Sequence, residues 1–222
     1  LENGEVLASI GEFLAEDIGR GDITTTATVP ADTRGVGKFL AKEDLVLCGL
    51  EVAEAVFFHL DPESSEIETS FNEGDEIKTG TVFATLKGYA DVLLVGERTA
   101  LNLIQRMSGI ATLTRSYVKA VEGTKAKIVD TRKTTPGLRM LEKYAVTVGG
   151  GKNHRMGLDD GVLIKDNHIS LAGGITEAVK AAKDRVGHLH KIEVEITNWA
   201  QLREAIEAGA EIVMLDNQTP EE

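Results

Sequence analysis

The sequence predicts an α/β protein in two parts, an α+β region over the first hundred residues and a parallel α/β region after it. Three observations carry that reading. Apolar and polar residues alternate between Gly35 and Gly88, punctuated by Gly-Asp turn signals. Four short β-branched runs come later, KIVD (127–130), VLIK (162–165), IEVEI (192–196) and EIVML (211–215), with helical segments between them. Each run has charge at its carboxyl end, the edge at which parallel α/β sheets and barrels bind ligands.

Taken in order, FLAEDIG (13–19) reads as a helix end stopped by Gly19, and GRGDITTTATVPADTRG as a turn-rich loop. VGKFLAKEDLVLCG and EIETSFNEGDEIKTGTVFATLKG supply strands, with the apolar LEVAEAVFFHL as a helix between them. From Asp91 to about Val121 apolar residues, among them Val92, Leu103, Ile104, Met107 and Ile110, recur at helical spacing, and Gly109 is expected to interrupt them. LRMLEKYAVTV, ITEAVKAAKDRV and WAQLREAIEAG read as further helices, the last ending in a Gly at C′. Strand–helix alternation at this spacing implies right-handed βαβ units and a parallel sheet. Because the four runs are apolar throughout, both faces of that sheet are expected to be buried. A complete eight-unit barrel takes about 250 residues, and only four units precede Glu222. The closing QTPEE reads as a helix start cut off, so truncation at the C-terminus, and a smaller one at the N-terminus, is expected.

A net charge of −12 speaks against nucleic acid or an anionic membrane as partner, since both need a broad basic face. The acidity is uneven. Residues 131–165 hold Arg132, Lys133, Arg139, Lys143, Lys152, Arg155 and Lys165 against Glu142, Asp159 and Asp160, a local +4 that leaves −16 elsewhere. A compact basic island in an acidic chain suits a small polyanion. The single cysteine, Cys48, excludes an internal disulfide and a multi-cysteine zinc site. The acidic N-terminal stretch is neither a secretory signal nor an Arg-rich transit peptide, and a cytoplasmic setting is expected.

The charged strand ends define a candidate site. The first run ends in Asp130-Thr131-Arg132-Lys133, the second in Lys165-Asp166-Asn167-His168, the third in Glu195 and Thr197-Asn198, and the fourth in Asp216-Asn217. Asn198, before Trp199, also reads as a helix N-cap. Lys165 directly follows an apolar strand, so its charge must be paired or functional. Glu195 and Asp216 end neighbouring strands, which lie about 4.8 Å apart, and two carboxylates there suit a shared cation or ribose hydroxyls. Glu193 shares the strand face of Glu195, so the face alone does not choose between them. Gly149-Gly150-Gly151 ends a helix and allows close backbone approach to a ligand; it fits neither a GxGxxG fingerprint nor a P-loop.

The stretch DTRKTTPGLRMLEKYAVTVGGGKNHRMGLDDGVLIKDNHI (130–169) strongly resembles the quinolinate phosphoribosyltransferases. EDIGRGDITT (16–25), ERTALNLIQRMSGIAT (97–112), EVEITN (193–198) and IVMLDN (212–217) extend the resemblance over nearly the whole chain. It implies an N-terminal α/β sandwich domain over 1–100 and an incomplete parallel α/β barrel over 101–222. The family's last strands and glycine-rich phosphate loop are expected beyond Glu222. The resemblance also implies a homodimer, Mg²⁺ used with phosphoribosyl pyrophosphate, and transfer of the phosphoribosyl group to quinolinate with decarboxylation. By the same resemblance Arg132, Lys133, His154, Arg155 and Lys165 are expected to hold quinolinate, whose two carboxylates suit fixed cations. Arg98 is expected to reach in from the neighbouring subunit. Glu195, the member the motif picks over Glu193, and Asp216 are expected to face the ribose and the metal-bound pyrophosphate. Lys133, Lys165, Glu195 and Asp216 are the expected catalytic set.

On its own, Arg98 would more often be a solvated or salt-bridged helix arginine, and His154 more often a structural histidine. One rival is non-enzymatic, a truncated chain that only dimerises or binds a diacid, and two further rivals share these residues. One is the molybdenum-transport-associated paralogue of the family, against which LIKDNH speaks. The other is a Schiff-base lyase using Lys165 as its nucleophile.

Overall fold

The structure, a computed structural model, describes residues 4–63 and 65–219. It divides into two compact units, residues 1–154 and 155–222.

The first unit begins with α1 (Gly4–Ile18), whose end is marked by Gly19 at φ 55°, a left-handed position that glycine takes without strain. The segment expected as loop then contains a short helix, α2 (Ile23–Thr28). Asp22 caps it, its Oδ1 accepting the Thr25 N–H at 2.9 Å, and Thr26 and Thr28 donate their hydroxyls back to the carbonyls of Asp22 and Thr24. A run of threonines has low helix propensity, but one strong cap and these local bonds offset it over a single turn or two.

The expected strands and helix follow: β1 (Arg34–Leu40), β2 (Leu45–Val46), α3 (Leu50–Leu60), β3 (Glu66–Glu68), β4 (Glu76–Ile77) and β5 (Val82–Tyr89). β1, β5 and β3 form an antiparallel sheet in that order, and β2 pairs with β4. Phe39 and Phe83 stack in it with centroids 5.7 Å apart. Cys48 is fully buried in the same core, and burial pushes its thiol well up from the usual range, as suits a packing residue.

α4 (Ala90–Ala120) runs on from β5 as one helix of 31 residues. The expected break at Gly109 is absent. The buried face on either side, Ile104, Met107, Ser108 and Ala111, holds the helix straight through a residue that intrinsically disfavours it by about 1 kcal/mol. α5 (Arg139–Val148) packs against α4. Of the four apolar runs, 127–130 alone does not become a strand. It makes a single parallel bridge, Val129 to Lys152, and Val129 stays 52% exposed.

The glycine triplet serves packing. A Cβ on Gly149 would stand 2.6 Å from the Ala111 carbonyl oxygen, and one on Gly151 2.8 Å from Val146 Cγ1. Arg115 from α4 donates to the carbonyls of Gly149 (3.0 Å) and Val148 (3.2 Å), satisfying the open end of α5. The close approach made here is therefore of helix to helix.

The second unit holds the other three runs as strands: β6 (Val162–Ile164), β7 (Ile192–Ile196) and β8 (Ile212–Leu215), all parallel, in the order β6-β7-β8. α6 (Asp166–Ala172) and α7 (Ile175–Arg185) connect the first two, and α8 (Trp199–Ala208) the last two. Asn198 caps α8 by accepting the Gln201 N–H at 3.0 Å, and Gly209 closes it at φ 80°. Double-sided burial holds for β7 only: its neighbour β8 leaves Ile212 39% and Leu215 61% exposed, since it has a strand on one side only among the described residues. The expected cut helix start at QTPEE reaches residues 220–222, outside the described residues.

Candidate active site

In the second unit the charged residues converge at the carboxyl edge of the sheet. The β6–β7 ladder ends with Ile164 opposite Val194, and Lys165 and Glu195 each follow next. Their side chains meet: Lys165 Nζ lies 3.0 Å from Glu195 Oε2. Glu195 pairs in turn with Met214 of β8, and Asp216 lies two residues beyond it, hence on the same face. The Asp216 N–H extends the ladder to the Ile196 carbonyl at 3.0 Å, and Asn217 donates to the Asp216 carboxylate at 3.2 Å. Lys165, Glu195 and Asp216 thus share one face and one edge. Glu193 lies on the same face one rung in and is buried. The Lys165 backbone is fixed too, its N–H donating to His168 Nδ1 at 3.0 Å as α6 begins. Arg155, half-buried, donates to the Gly161 carbonyl at 3.2 Å.

In the first unit Arg132 and Lys133 project from the loop 131–134, and His154 from the segment after the glycines. Both stretches are held from α5. The Asp130 carboxylate pairs with Lys143 Nζ, and its Oδ1 also accepts the His154 N–H at 2.8 Å. The Asn153 amide, with its nitrogen turned toward them, donates to Asp130 Oδ2 (2.7 Å) and the Lys143 carbonyl (2.9 Å). At the other end of the loop, Glu142 Oε2 accepts the Thr135 N–H at 3.1 Å, while Oε1 takes Arg106 Nε at 2.8 Å. Burial by itself would push the Glu142 carboxyl up, but the hydrogen bonds from Arg106 and Thr135 outweigh it and hold it below the usual range. Adjacent on α5, Glu142 and Lys143 therefore grip opposite ends of the segment that presents Arg132 and Lys133. The side chain of Arg98, exposed on α4, makes no hydrogen bond or ion pair to a described residue.

Sequence reasoning marked Asp130 only as a charged strand end and missed its part in this arrangement, along with Asn153, Glu142, Arg106 and Lys143. The last three looked like ordinary surface charge on helices. The one trace was a lone acid at 130 directly before a basic pair, a sign that does not reveal its partner.

Among the described residues no group of three or more His, Cys, Asp or Glu side chains converges as a metal site. Glu195 and Asp216 supply two carboxylates on one face, one of them engaged by Lys165. That donor set fits Mg²⁺ held chiefly by phosphate oxygens and water, and does not fit an all-protein cage. No helix of the described residues is long and apolar enough to cross a membrane.

Comparison with known proteins gives a consistent result. Residues 22–108 match the family described as quinolinate phosphoribosyl transferase, N-terminal domain, and residues 110–222 its C-terminal domain. The chain is 50% identical over 206 residues to a probable nicotinate-nucleotide pyrophosphorylase (carboxylating) of Synechocystis sp., covering 93% of this chain and 69% of that one. It is 49% identical over 212 residues to the protein of the same name in Bacillus subtilis, covering 96% and 73%. Against quinolinate phosphoribosyltransferase (decarboxylating) 1b of Nicotiana tabacum it is 45% identical over 215 residues and spans 60% of the relative's length. Among solved structures, NadC from Streptococcus pyogenes superposes with a TM-score of 0.94 at 38% identity, covering all of this chain and 78% of that one.

Proposed function

This chain belongs to the quinolinate phosphoribosyltransferase family, and from that membership we propose that it joins quinolinate to the phosphoribosyl group of phosphoribosyl pyrophosphate, releasing pyrophosphate and CO₂ and forming nicotinate mononucleotide. The observation that best supports this is the Lys165–Glu195 pair beside Asp216 at the carboxyl edge of the parallel strands. The edge offers a cation for a carboxylate and acids for a ribose.

In this reading Arg132, Lys133, His154, Arg155 and Lys165 grip the two carboxylates of quinolinate. Glu195 holds Lys165 in place and leaves its second oxygen for the ribose. As pyrophosphate leaves C1′, positive charge grows on the ribose ring, and Glu195 and Asp216 stabilise it electrostatically. The pyridine nitrogen of quinolinate forms the new bond to C1′. Once the ring nitrogen is quaternised, its positive charge stabilises the electron pair left on the adjacent ring carbon when the neighbouring carboxylate departs as CO₂, and that carbon takes a proton from water to complete nicotinate mononucleotide. Glu195 and Asp216 would help to hold Mg²⁺ arriving with the pyrophosphate group, and the ion would supply neutralisation of charge on that leaving group. No protein nucleophile is required. A lysine tied into an ion pair with Glu195 is arranged as a held cation, which disfavours the Schiff-base alternative.

The proposal extends to architecture. Residues 1–100 form the α/β sandwich domain and 101–222 the strands and helices of an incomplete α/β barrel, and the protein works as a homodimer in which exposed Arg98 completes its neighbour's site. Calorimetric titration with quinolinate, with nicotinate as control, tests the reading. Selective binding of quinolinate is expected; a folded protein that binds both acids alike, or neither, overturns it.

A further inference from the structure

We propose that Lys143 and Asp130 are positioning residues, whose buried ion pair sets the segment carrying Arg132 and Lys133 against the segment carrying His154. The inference rests on the site reading above and adds to it two residues that contact no substrate.

Lys143 is only 1% exposed and Asp130 nearly as buried, so both lie out of reach of a bound ligand. Burying an ammonium and a carboxylate gains little over an apolar pair of the same size, because desolvation cancels most of the attraction. A methionine at 143 would pack α5 as well. What an apolar pair cannot do is direct hydrogen bonds, and here these converge on one residue. The N–H of His154 donates to Asp130 Oδ1 at 2.8 Å, and the carbonyl of His154 accepts from Lys143 Nζ at 3.2 Å. Both backbone groups of His154 are thus held by the two members of one ion pair. Asn153 adds a third donor, at 2.7 Å from Asp130 Oδ2.

The backbone repeats the tie one step earlier. The Asp130 N–H donates to the Lys152 carbonyl at 3.1 Å, and the Lys152 N–H to the Ile128 carbonyl at 2.9 Å. Segments 128–130 and 152–154 therefore move together, and Arg132 and Lys133 begin two residues from the fixed point. A cation that must meet a planar diacid at a set angle loses affinity when its base shifts by even an ångström.

The test is the double variant Lys143→Met, Asp130→Asn, which removes both charges and leaves neither buried alone. Melting temperature, exchange of the His154 amide hydrogen and quinolinate affinity are measured beside the unmodified protein. Expected are a retained melting temperature, faster exchange at His154, and quinolinate binding weaker by about tenfold to hundredfold. Unchanged affinity with unchanged His154 protection overturns the proposal. Should the double variant not fold, Asn153→Ala at its exposed position carries the test. It is expected to weaken quinolinate binding several-fold with little change in melting temperature, and unchanged affinity overturns the proposal equally. If the unmodified protein itself fails to bind quinolinate, the site reading is what fails.

Discussion

The ammonium of Lys165 rests 3.0 Å from the carboxylate of Glu195, across neighbouring parallel strands and one residue past their last ladder pair. A short tether of this kind fixes the direction of a cation while leaving it accessible at the edge. Glu195→Gln keeps the shape and removes the charge. It is expected to lower turnover by about a hundredfold, the scale of losing one group that stabilises a transition state, with a nearly unchanged melting temperature. Lys165→Ala is expected to cut turnover at least as severely. Steady-state kinetics on both variants checks this, and near-normal rates would remove the pair from the mechanism.

Glu142 carries a pH prediction. Its carboxyl sits below the ordinary 4.5 because hydrogen bonds from Arg106 and Thr135 exceed the cost of burial. A depressed carboxyl stabilises the fold fully above its unfolded pKa, and that contribution disappears as pH falls through the lower folded value. Glu142→Gln should therefore destabilise the protein at pH 7, by about 1 to 3 kcal/mol on the scale of a disrupted buried hydrogen bond. The gap between variant and unmodified protein should close in strongly acidic buffer. Urea unfolding at both pH values measures it.

Two glycines should respond in opposite directions. Gly109 lies mid-helix with open space where a Cβ would go, so Gly109→Ala should stabilise by about 0.5 to 1 kcal/mol. At Gly149 the same change drives a methyl to 2.6 Å from the Ala111 carbonyl oxygen and from Thr114 Cβ. It should destabilise by about 1 to 3 kcal/mol. Thermal unfolding of both variants decides.

Arg98 tests the shared site. Its exposed position predicts that Arg98→Ala changes stability by no more than about 0.5 kcal/mol, yet abolishes most activity. If the residue serves the neighbouring subunit, mixing inactive Arg98→Ala with inactive Lys165→Ala should restore turnover, because one of the two mixed sites is then intact. A mixture that stays inactive would argue that both residues act within one chain.

What could be read from the sequence followed from how local the cause was. α3 fell within the expected 50–60, where an apolar run lies between a glycine and an Asp that leaves the helix. The Lys165, Glu195 and Asp216 edge was legible because strand ends are marked by the switch from apolar to charged residues. The run 127–130 has the same composition as the true strands, yet its pairing stops at a single bridge to Lys152, which no local pattern reports. Gly109 misled because its cost is local while the packing that overrides it is spread along α4. Glu142 and Lys143 were invisible for a related reason: Arg106, the partner of Glu142, is 36 positions away.

The two grips on the loop 131–134 also bear on the cost of binding. Thr135 meets Glu142 across a separation of 7 residues and Asp130 meets Lys143 across 13, so both closures are short. Chain entropy charges little for such closures, since each doubling of length adds only about 0.6 kcal/mol. That cost is met when the protein folds. On the proposed reading, a ligand arriving at Arg132 and Lys133 would find their backbone already ordered, and its affinity would not be drawn down by having to immobilise the loop.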